Sequence, residues 1–487
     1  MLPRSNSVDI FTHQIKNYMN NDYVIVDYTQ TIENAIKEIQ SKKKSSILVI
    51  KDNKLCGILT EQDIVRKITF NVKADAKVSE LMNSPVIMVY EEDLLFHAVG
   101  KMRKNKFRHL PVIDMNSFPV GIIDMHTALT AELGTIVDQI DRLAYDEKDL
   151  EGLKQIKEQQ VLLAETLIEQ NVPTGDISYI LSFLNNVIYR RAIRDAEEKV
   201  QAKNILTTIP AYCVLTMGSG GRMESFLHPD QDNGIIYEDN DQDPKKVDLY
   251  FLELAKIFTK TLDAVGIPLC KGDLMASNIL WRKSISGWKK QIDLWTSDMA
   301  EQNLRYIDML YDFKSVFGKP ELADELRVYI LKKLQNKNVL KFLYKSEEAA
   351  TSGLNFFGGF VLEKNDENNL GMLDLKHTAS LPLVESIRLY SIKHQIDKVS
   401  TMERLEGLRA KGVFNNHDFD FFKNAFRFLS DILLKNQVER AKRGKEILNF
   451  IDPKTLLTRE KQVLKMYLRK IRDLKKSARG DFGEEYF

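Results

Sequence analysis

The sequence predicts a multidomain protein that combines α/β regions with an all-helical region. Three observations support this prediction: the length of 487 residues exceeds one ordinary core, an internal repeat alternates strands with helices, and the chain is almost wholly helical in pattern towards its end. The predicted parts are an N-terminal segment 1–19, a repeat region 20–132, a helical linker 133–205, a mixed α/β domain 206–325 and a helical domain 326–487.

The composition restricts the possible partners and compartments. Seventy basic residues balance sixty-nine acidic ones, and the net charge of +1 argues against wholesale binding to nucleic acid or to an anionic membrane. No apolar stretch approaches the roughly 20 residues that span a bilayer, and the N-terminus, with Asp9, lacks a signal peptide's apolar region. We therefore expect a cytoplasmic protein in which Cys56, Cys213 and Cys270 are reduced thiols.

The repeat consists of two copies of the same pattern, a helix, an apolar strand, a turn, a second strand and another helix. The first copy places its helix, strands and second helix at 32–41, 46–50, 57–60 and 61–66. The second copy places them at 94–104, 109–113, 120–123 and 125–132.

This repeat resembles a tandem pair of CBS domains, which implies an adenine-nucleotide site between the copies and a homodimer. In that family a hydroxyl residue followed three positions later by Asp contacts phosphate and ribose, and the first copy has Thr60 and Asp63. The second copy reverses the order, with Asp124 and Thr127, and its carboxylate would repel phosphate, so we expect at most one good nucleotide site. The alternative for Thr60 is a helix cap.

Two helices are expected in the linker, because apolar residues recur at helical spacing over 153–163 and 177–196, with a break at 172–175. The mixed domain that follows contains the most informative motif of the chain, Met217-Gly-Ser-Gly-Gly-Arg-Met-Glu224. Residues 211–216 are apolar and β-prone, and Gly218 lets the chain turn sharply into a helix. Free N–H groups at such a helix start can hold a phosphate.

A pair of carboxylates follows the glycine-rich turn. Asp230 and Asp232 are two residues apart at the expected start of a strand, so their side chains share one face and could share a divalent cation. The alternative is a polar turn, which fits poorly because two carboxylates at the start of a half-buried strand are costly without a counter-ion.

The turn and the carboxylates together resemble the nucleotidyltransferase fold of DNA polymerase β. More closely, they resemble the nucleotidyltransferase domain found beside CBS pairs, which is related to the PII uridylyltransferase and the glutamine synthetase adenylyltransferase. The resemblance implies that Gly218, Ser219 and Arg222 bind the phosphates of the nucleotide. It also implies two Mg²⁺ or Mn²⁺ ions held by three carboxylates, of which Asp230 and Asp232 are two.

The third carboxylate is less clearly marked in the sequence. The best match is Asp312, in an apolar strand pattern, and the second is Asp293. Asp312 could instead be a buried acid bonded to Lys314 or to backbone. Glu224, in the turn motif, could pair with Arg222 or cap the helix start.

The C-terminal helices resemble the substrate-binding domain that follows this nucleotidyltransferase domain. The resemblance allows Lys376, Arg388 and Arg404 to form a cationic wall that faces the nucleotide or the acceptor, although such a residue, taken singly, is more often a surface charge or a salt-bridge partner. The terminal run 469–479 is expected to be a solvated helix face.

We expect a metal-dependent nucleotidyltransferase that transfers a nucleoside monophosphate from a nucleoside triphosphate to a hydroxyl of a protein or small molecule. Adenine nucleotide at the CBS pair would regulate it. The alternative is a signalling scaffold that binds nucleotide without turnover. A nucleic-acid acceptor is disfavoured because the net charge is near zero and no basic stripe with interleaved aromatic residues is evident.

Overall fold

The structure is a computed structural model of the chain. It describes residues 14–42, 44–61, 63–64, 76–105, 107–124, 150–298, 300–348, 353–478 and 482. The chain forms two compact units, Met1–Glu147 and Lys148–Phe487.

The first unit contains the predicted repeat as two small sheets of the same topology. Each sheet has three strands in sequential order, with a parallel first pair and an antiparallel second pair. The strands are β1 Val24–Asp27, β2 Ser46–Lys51, β3 Lys54–Thr60, β4 Val89–Tyr90, β5 His109–Ile113 and β6 Pro119–Asp124. The helices are α1 Ile32–Lys42, α2 Val78–Leu81 and α3 Leu95–Asn105. The predicted helix 125–132, which includes Thr127, lies outside the described residues.

The second unit is built around a four-stranded sheet of order β10-β7-β8-β9. Its strands are β7 Tyr212–Met217, β8 Asn233–Tyr237, β9 Arg282–Ser284 and β10 Phe313–Gly318. Strand β7 is antiparallel to both of its neighbours and buried along its whole length, whereas β8 and β9 are parallel. A separate short ladder pairs β11 Leu373–Asp374 with β12 Phe450–Ile451.

The remainder of this unit is mainly helical. Two long helices, α4 Leu150–Glu169 and α5 Thr174–Gln201, precede the sheet and confirm the two helices expected in the linker. The others are α6 Gly218–Gly221, α7 Pro244–Val265, α8 Ile285–Ser297, α9 Glu301–Tyr311, α10 Pro320–Leu334, α11 Lys337–Glu348, α12 Leu381–Lys393, α13 Thr401–Ala410, α14 Asn416–Lys442 and α15 Thr458–Ala478. None of the helices among the described residues combines the length and the apolar composition needed to cross a membrane.

One continuous hydrophobic core joins the sheet to the C-terminal helices. It extends from Cys213 in β7 through all three tryptophans, Trp281, Trp288 and Trp295, to Ala478 at the end of α15. Because burial of apolar side chains is the main favourable term in folding, the sheet and the C-terminal helices are expected to fold as one body. Tryptophan fluorescence therefore reports on this second unit alone.

A buried lysine lies between α4 and α5. Lys157 is 9% exposed, and its Nζ donates to Gln160 Oε1 at 3.1 Å and to Asn185 Oδ1 at 3.2 Å. Burial lowers the pKa of Lys157 to about 7. A neutral amine is the form favoured where no carboxylate balances the charge.

This lysine makes stability depend on pH. Between pH 7 and about 10 the unfolded chain keeps a proton on Lys157 that the folded protein has lost, so the free energy of unfolding rises with pH over this range. We expect this rise in the free energy of unfolding to reach up to about 4 kcal/mol between pH 7 and 10, and to be absent in Lys157→Met. Tryptophan-monitored urea unfolding at pH 7, 8.5 and 10 measures it, with Lys260→Met, at an exposed position of α7, as the control. An unchanged pH slope in Lys157→Met would contradict the assignment.

Candidate active site

The glycine-rich turn leaves the sheet at the end of β7, as predicted. Gly218 has a φ of +58°, a left-handed conformation that favours glycine, and a Cβ there would lie 2.9 Å from Asp232 Oδ2. Glycine is also needed at position 221, because a Cβ added to Gly221 would lie 2.2 Å from the carbonyl oxygen of Asp312. Ser219, half-buried, has its Oγ 3.4 Å from Ser225 Oγ. The backbone of the turn therefore lies directly against the Asp232 carboxylate.

The two carboxylates lie immediately before β8, not within it. Asp230 is exposed and Asp232 is half-buried, and the strand begins at Asn233. The carbonyl oxygen of Asp232 accepts a hydrogen bond from Met217 N at 2.9 Å, which fixes this segment beside the end of β7. The structure thus brings Gly218, Ser219 and both carboxylates together.

The charge of Asp232 depends on four neighbours. Burial raises the pKa of Asp232 above its usual value, and the Asp230 carboxylate adds to this effect. A hydrogen bond with the Cys270 thiol opposes it, as do the positive charges of Lys376 and Arg222. Burial, with Asp232 nearby, raises the pKa of the Cys270 thiol to about 11, so this cysteine is a neutral donor and not a thiolate.

Two members of this site were missed by the sequence analysis as site residues, Cys270 and Tyr189. Tyr189, on α5, is 4% exposed, and its pKa is raised by burial and by the nearby Asp232. Tyr189 stands at no recognisable spacing from the turn motif, so no local signal identifies it. Lys376 contributes a positive charge beside Asp232, and within the described residues its Nζ forms no hydrogen bond or ion pair.

Asp312 lies in a different environment, at the centre of three guanidinium groups. It is fully buried, and its Oδ1 accepts from Arg404 Nη2 at 2.6 Å. Its Oδ2 accepts from Arg222 Nη1 at 2.6 Å and from Arg388 Nη1 at 2.9 Å. Burial alone would raise the pKa of Asp312, but Arg404, Arg388 and Arg222 together outweigh burial and hold this pKa well below its usual range.

This arrangement corrects the predicted role of Asp312. Both of its oxygens already accept charge-assisted hydrogen bonds, so the structure places it in a buried ion-pair network and not in a metal site. It is also not a strand residue, because α9 ends at Tyr311 and β10 begins at Phe313. The second choice, Asp293, lies on α8 and pairs with Lys333 Nζ at 2.6 Å and Tyr329 OH at 2.7 Å.

The same network corrects the role of Arg222 and confirms the pairing of Glu224. Arg222 was predicted to bind phosphate, but it is 9% exposed and donates to Asp312 and, through Nε, to Glu224 Oε2 at 2.8 Å. Glu224 also accepts from the backbone N of Thr401 at 2.6 Å, at the first turn of α13. Arg388 and Arg404 are salt-bridge partners, and only Lys376 of the predicted cationic wall faces the carboxylate pair.

The carboxylate pair fits one hard divalent cation. Mg²⁺ is commonly held by one or two carboxylates together with water and substrate phosphates, and Asp230 and Asp232 supply two such groups. Among the residues that the structure describes, no group of three or more His, Cys, Asp or Glu side chains is placed to hold a metal. The donor set therefore fits a cation that arrives with a nucleotide, and it does not fit two ions held by three carboxylates.

The first unit contains a second set of predicted site residues. Thr60 Oγ1 donates to Asp63 Oδ2 at 2.6 Å, and Asp63 N donates back to Thr60 Oγ1 at 3.3 Å. This reciprocal pair is the helix cap that was one of the two alternatives. Asp124, in the second copy, is paired with His109 Nδ1, and His109 Nε2 lies 3.1 Å from Ser45 Oγ of the first copy.

Three domain families match the chain. The CBS domain matches residues 15–69 and 78–134, the "Putative nucleotidyltransferase DUF294" matches residues 158–302, and the "Putative nucleotidyltransferase substrate binding domain" matches residues 337–482. The fold is thus a CBS pair joined to a nucleotidyltransferase-type α/β core with a C-terminal helical region. The chain therefore combines a CBS pair with the DUF294 nucleotidyltransferase domain and the substrate-binding domain that follows it.

Curated relatives match only about a quarter of the chain. An uncharacterized 17.7 kDa protein of Acidianus ambivalens is 34% identical over 125 residues, which are 26% of this chain and 76% of that protein. The CBS domain-containing protein CBSCBSPB1 of Arabidopsis thaliana is 35% identical, over 21% of this chain and 20% of that protein. Arabinose 5-phosphate isomerase KdsD of Francisella tularensis is 32% identical, and the chain spans 38% of its length.

Solved structures that are similar to this chain cover a comparable share of it. The CBS domain pair of protein MJ0100, in complex with 5-methylthioadenosine and S-adenosyl-L-methionine, has 23% identity and a TM-score of 0.22 and covers 24% of this chain and 91% of its own. CBSX2 in complex with AMP has 21% identity and a TM-score of 0.22 and covers 24% of this chain and 92% of its own.

Proposed function

We propose that this protein is a nucleotidyltransferase that transfers a nucleoside monophosphate from a nucleoside triphosphate to an acceptor hydroxyl. The observation that carries the proposal is the approach of the Gly218 backbone to the Asp232 carboxylate, within the segment that matches the nucleotidyltransferase family. A backbone turn against a carboxylate pair offers N–H donors for phosphate beside a place for its cation.

Each group in the site has a role in this proposal. The turn at Gly218 and Ser219 holds the terminal phosphates, and Lys376 adds a positive charge on the side of the C-terminal helices. Asp230 and Asp232 hold one Mg²⁺ or Mn²⁺, which neutralises the triphosphate and polarises the phosphorus when it is bound. Cys270, as a neutral thiol, keeps the Asp232 carboxylate oriented towards the turn.

The reaction is a substitution at the α-phosphorus. The acceptor oxygen forms a bond to this phosphorus, the bond from the phosphorus to the bridging oxygen of the β-phosphate breaks, and pyrophosphate leaves while the hydroxyl proton is released. The protein accelerates this step by positioning the triphosphate and by stabilising charge, as phosphoryl-transfer sites generally do. A protein side chain or a small-molecule alcohol is the proposed acceptor.

The position of Asp312 favours a second candidate, a scaffold that binds nucleotide without turnover. Two carboxylates and one cation suffice to bind a triphosphate, whereas the described residues do not form the three-carboxylate arrangement that the resemblance implies. The two candidates predict the same nucleotide binding, and only product formation separates them.

The first unit is proposed to regulate this activity by binding adenine nucleotide, in a protein that forms homodimers through its CBS pairs. The Thr60 and Asp63 pair offers a hydroxyl and a carboxylate for phosphate and ribose. In the second copy the Asp124 carboxylate is already hydrogen-bonded to the His109 ring. Light scattering measures the oligomeric state.

The proposal is tested with the four nucleoside triphosphates, each labelled at the α-phosphate or at the γ-phosphate. The full chain is incubated with each of them, with Mg²⁺ or Mn²⁺ and with cell extract as the source of acceptor. We expect the protein to use one of the four nucleotides as donor and to transfer its α-label to an acceptor, with equimolar release of pyrophosphate. Transfer of γ-label would indicate a kinase, and nucleotide binding without any transfer would establish the scaffold.

Replacing Lys376 tests whether its ammonium binds the triphosphate. Lys376→Gln is expected to raise the KM for the nucleotide by about 10- to 100-fold with a smaller change in kcat, because the charge acts on the bound phosphates. Lys376→Arg should recover most of the affinity. Lys364→Gln, at an exposed position nearby in sequence, loses the same charge and should behave like the wild type. Equal KM values for Lys376→Gln and Lys364→Gln would refute this role.

A further inference from the structure

Two aromatic side chains are almost fully exposed at the tip of a hydrogen-bonded turn in the C-terminal region. Phe356 is 95% exposed and Phe357 is 93% exposed, with ring centroids 5.6 Å apart. Exposing two neighbouring phenyl rings forgoes about 3–6 kcal/mol of hydrophobic stabilisation, so such a pair usually marks an interaction site.

Hydrogen bonds fix the conformation of this turn. Asn355 Oδ1 accepts from Gly359 N at 2.9 Å, and the backbone of Asn355 pairs with both Gly358 and Gly359. Below the tip, Gly353 N donates to the carbonyl oxygen of Thr378 at 3.1 Å. These hydrogen bonds therefore hold the two rings in their exposed position.

The turn packs against α15, whose charge is strongly positive. Between Thr458 and Ala478 this helix has eight Lys and Arg residues and two acidic residues, a net charge of +6. Five of the cations recur at spacings of four, four, three and four, so they lie within an arc of about 80° and extend over about 22 Å of the helix. These cations, the basic row, are Lys461, Lys465, Arg469, Arg472 and Lys476.

The basic row lies beside the aromatic tip, with Arg469 and Lys476 exposed and the other three cations half-buried. Lys465 Nζ lies 5.2 Å from the centre of the Phe360 ring, and a Cβ on Gly358 would lie 3.5 Å from Arg469 Nη2. No acidic residue of α15 lies within the arc of the row. Within the described part of the chain, none of the five cations forms an ion pair.

We propose that this surface binds single-stranded nucleic acid. A linear row of unpaired cations beside exposed aromatic rings suits a strand whose phosphates follow the cations while its bases stack on the rings. A net charge of +1 for the whole chain does not oppose this, because the row is a local feature that is balanced elsewhere in the chain.

The structure favours a strand over a membrane surface as the occupant. A helix that lies in a membrane interface inserts its apolar face, but the apolar face of α15 is already used in the core. Its buried residues are Leu464, Leu468, Ile471, Leu474 and Ala478. Among the described residues, the exposed apolar side chains of this region include the two phenyl rings, Met466 on α15 and Leu457 just before it. These do not form one continuous helical face, so the paired rings match two stacking positions better than an inserted face.

Fluorescence anisotropy of the full chain with labelled 12-nucleotide oligomers of U and of dT tests the proposal between 50 and 200 mM salt. Five phosphate contacts predict a slope of about −3.5 when the logarithm of the binding constant is plotted against the logarithm of the salt concentration for a single strand. Lys461→Gln/Lys465→Gln/Arg469→Gln should weaken binding at least about 10-fold and reduce the slope to about −1.4. Phe356→Ala/Phe357→Ala should weaken binding about 10-fold or more without changing the slope.

A matched control separates this surface from general charge effects. Lys246→Gln/Lys260→Gln/Lys435→Gln loses the same charge at three exposed and scattered positions, and its affinity should stay within about two-fold of the wild type. Circular dichroism and tryptophan emission confirm that each variant is folded. Absence of oligomer binding, equal losses in both triple variants, or an unchanged affinity in the phenylalanine variant would overturn the proposal. Binding to phosphatidylserine vesicles in place of oligomers would overturn it in favour of a membrane surface.

Discussion

Replacing Asp312 with alanine is expected to lower the free energy of unfolding of the second unit by about 3–5 kcal/mol. Asp312 accepts from Arg222, Arg388 and Arg404 together, and all three guanidinium groups are buried with it. Removing one partner of a buried ion pair leaves an uncompensated charge, and a loss of this size is typical. The three arginines would keep nearby carboxylates such as Glu224 and Asp308 but lose the acceptor at their centre.

Tryptophan-monitored denaturant unfolding measures this loss, because all three tryptophans lie in the core of the second unit. Asp293→Ala is the matched control: its carboxylate is 46% exposed and pairs with Lys333 at the surface, so we expect a change below about 1 kcal/mol. Asp312→Asn should fall between the two, because the amide keeps a hydrogen-bond acceptor but not the charge. Similar midpoints for Asp312→Ala and Asp293→Ala would show that the network does not stabilise the fold.

The same carboxylate makes the fold sensitive to acid. The folded-state pKa of Asp312 is held below its usual range, so its contribution is fully present above about pH 4 and is lost as the pH falls through the lower folded-state value. The difference in unfolding free energy between wild type and Asp312→Asn should therefore shrink as the pH is lowered from 5 towards 2.

The role of Asp312 shows where sequence reasoning stops. The repeat, the strand β7 and the turn at Gly218 are local patterns, and each was predicted from residues adjacent in sequence. The arginines that surround Asp312 come from positions 76 to 92 residues away, and no spacing in the chain indicates that they converge. A buried acid in an apolar segment looks the same in sequence whether a metal or three guanidinium groups balances its charge.

The helix that contains Asp293 shows a second limit of short sequence patterns. The run 291–295 contains the second match for the third carboxylate, and the alternation of polar and apolar residues over 291–294 is by itself compatible with a strand. A longer window shows Trp288, Ile292 and Trp295 at the spacing of one helical face, and these residues are the buried side of α8. Short apolar runs do not distinguish the two periodicities, and length decides between them.

Asp232→Asn is expected to give the opposite result to Asp312→Ala, a loss of activity without a loss of stability. Burial raises the pKa of Asp232, which means that its ionised form is disfavoured in the folded protein. A neutral amide of the same shape removes that unfavourable charge, so the free energy of unfolding should stay the same or increase. Transfer of the α-label should fall by at least about 100- to 1,000-fold, because the cation loses a charged ligand beside the turn.

Asp230→Asn should reduce transfer to a similar degree, and Asp241→Asn, an exposed carboxylate shortly after the same strand, should leave it unchanged. The assay measures initial rates at saturating nucleotide together with the tryptophan-monitored unfolding midpoint of each variant. If Asp232→Asn lost stability and activity in proportion, the carboxylate would be a structural residue and the active-site assignment would fail. Full activity in both Asp230→Asn and Asp232→Asn would exclude a cation held by this pair. The contrast between Asp232 and Asp312 thus separates the carboxylate that binds the cation from the ion pairs that join the glycine-rich turn to the C-terminal helices.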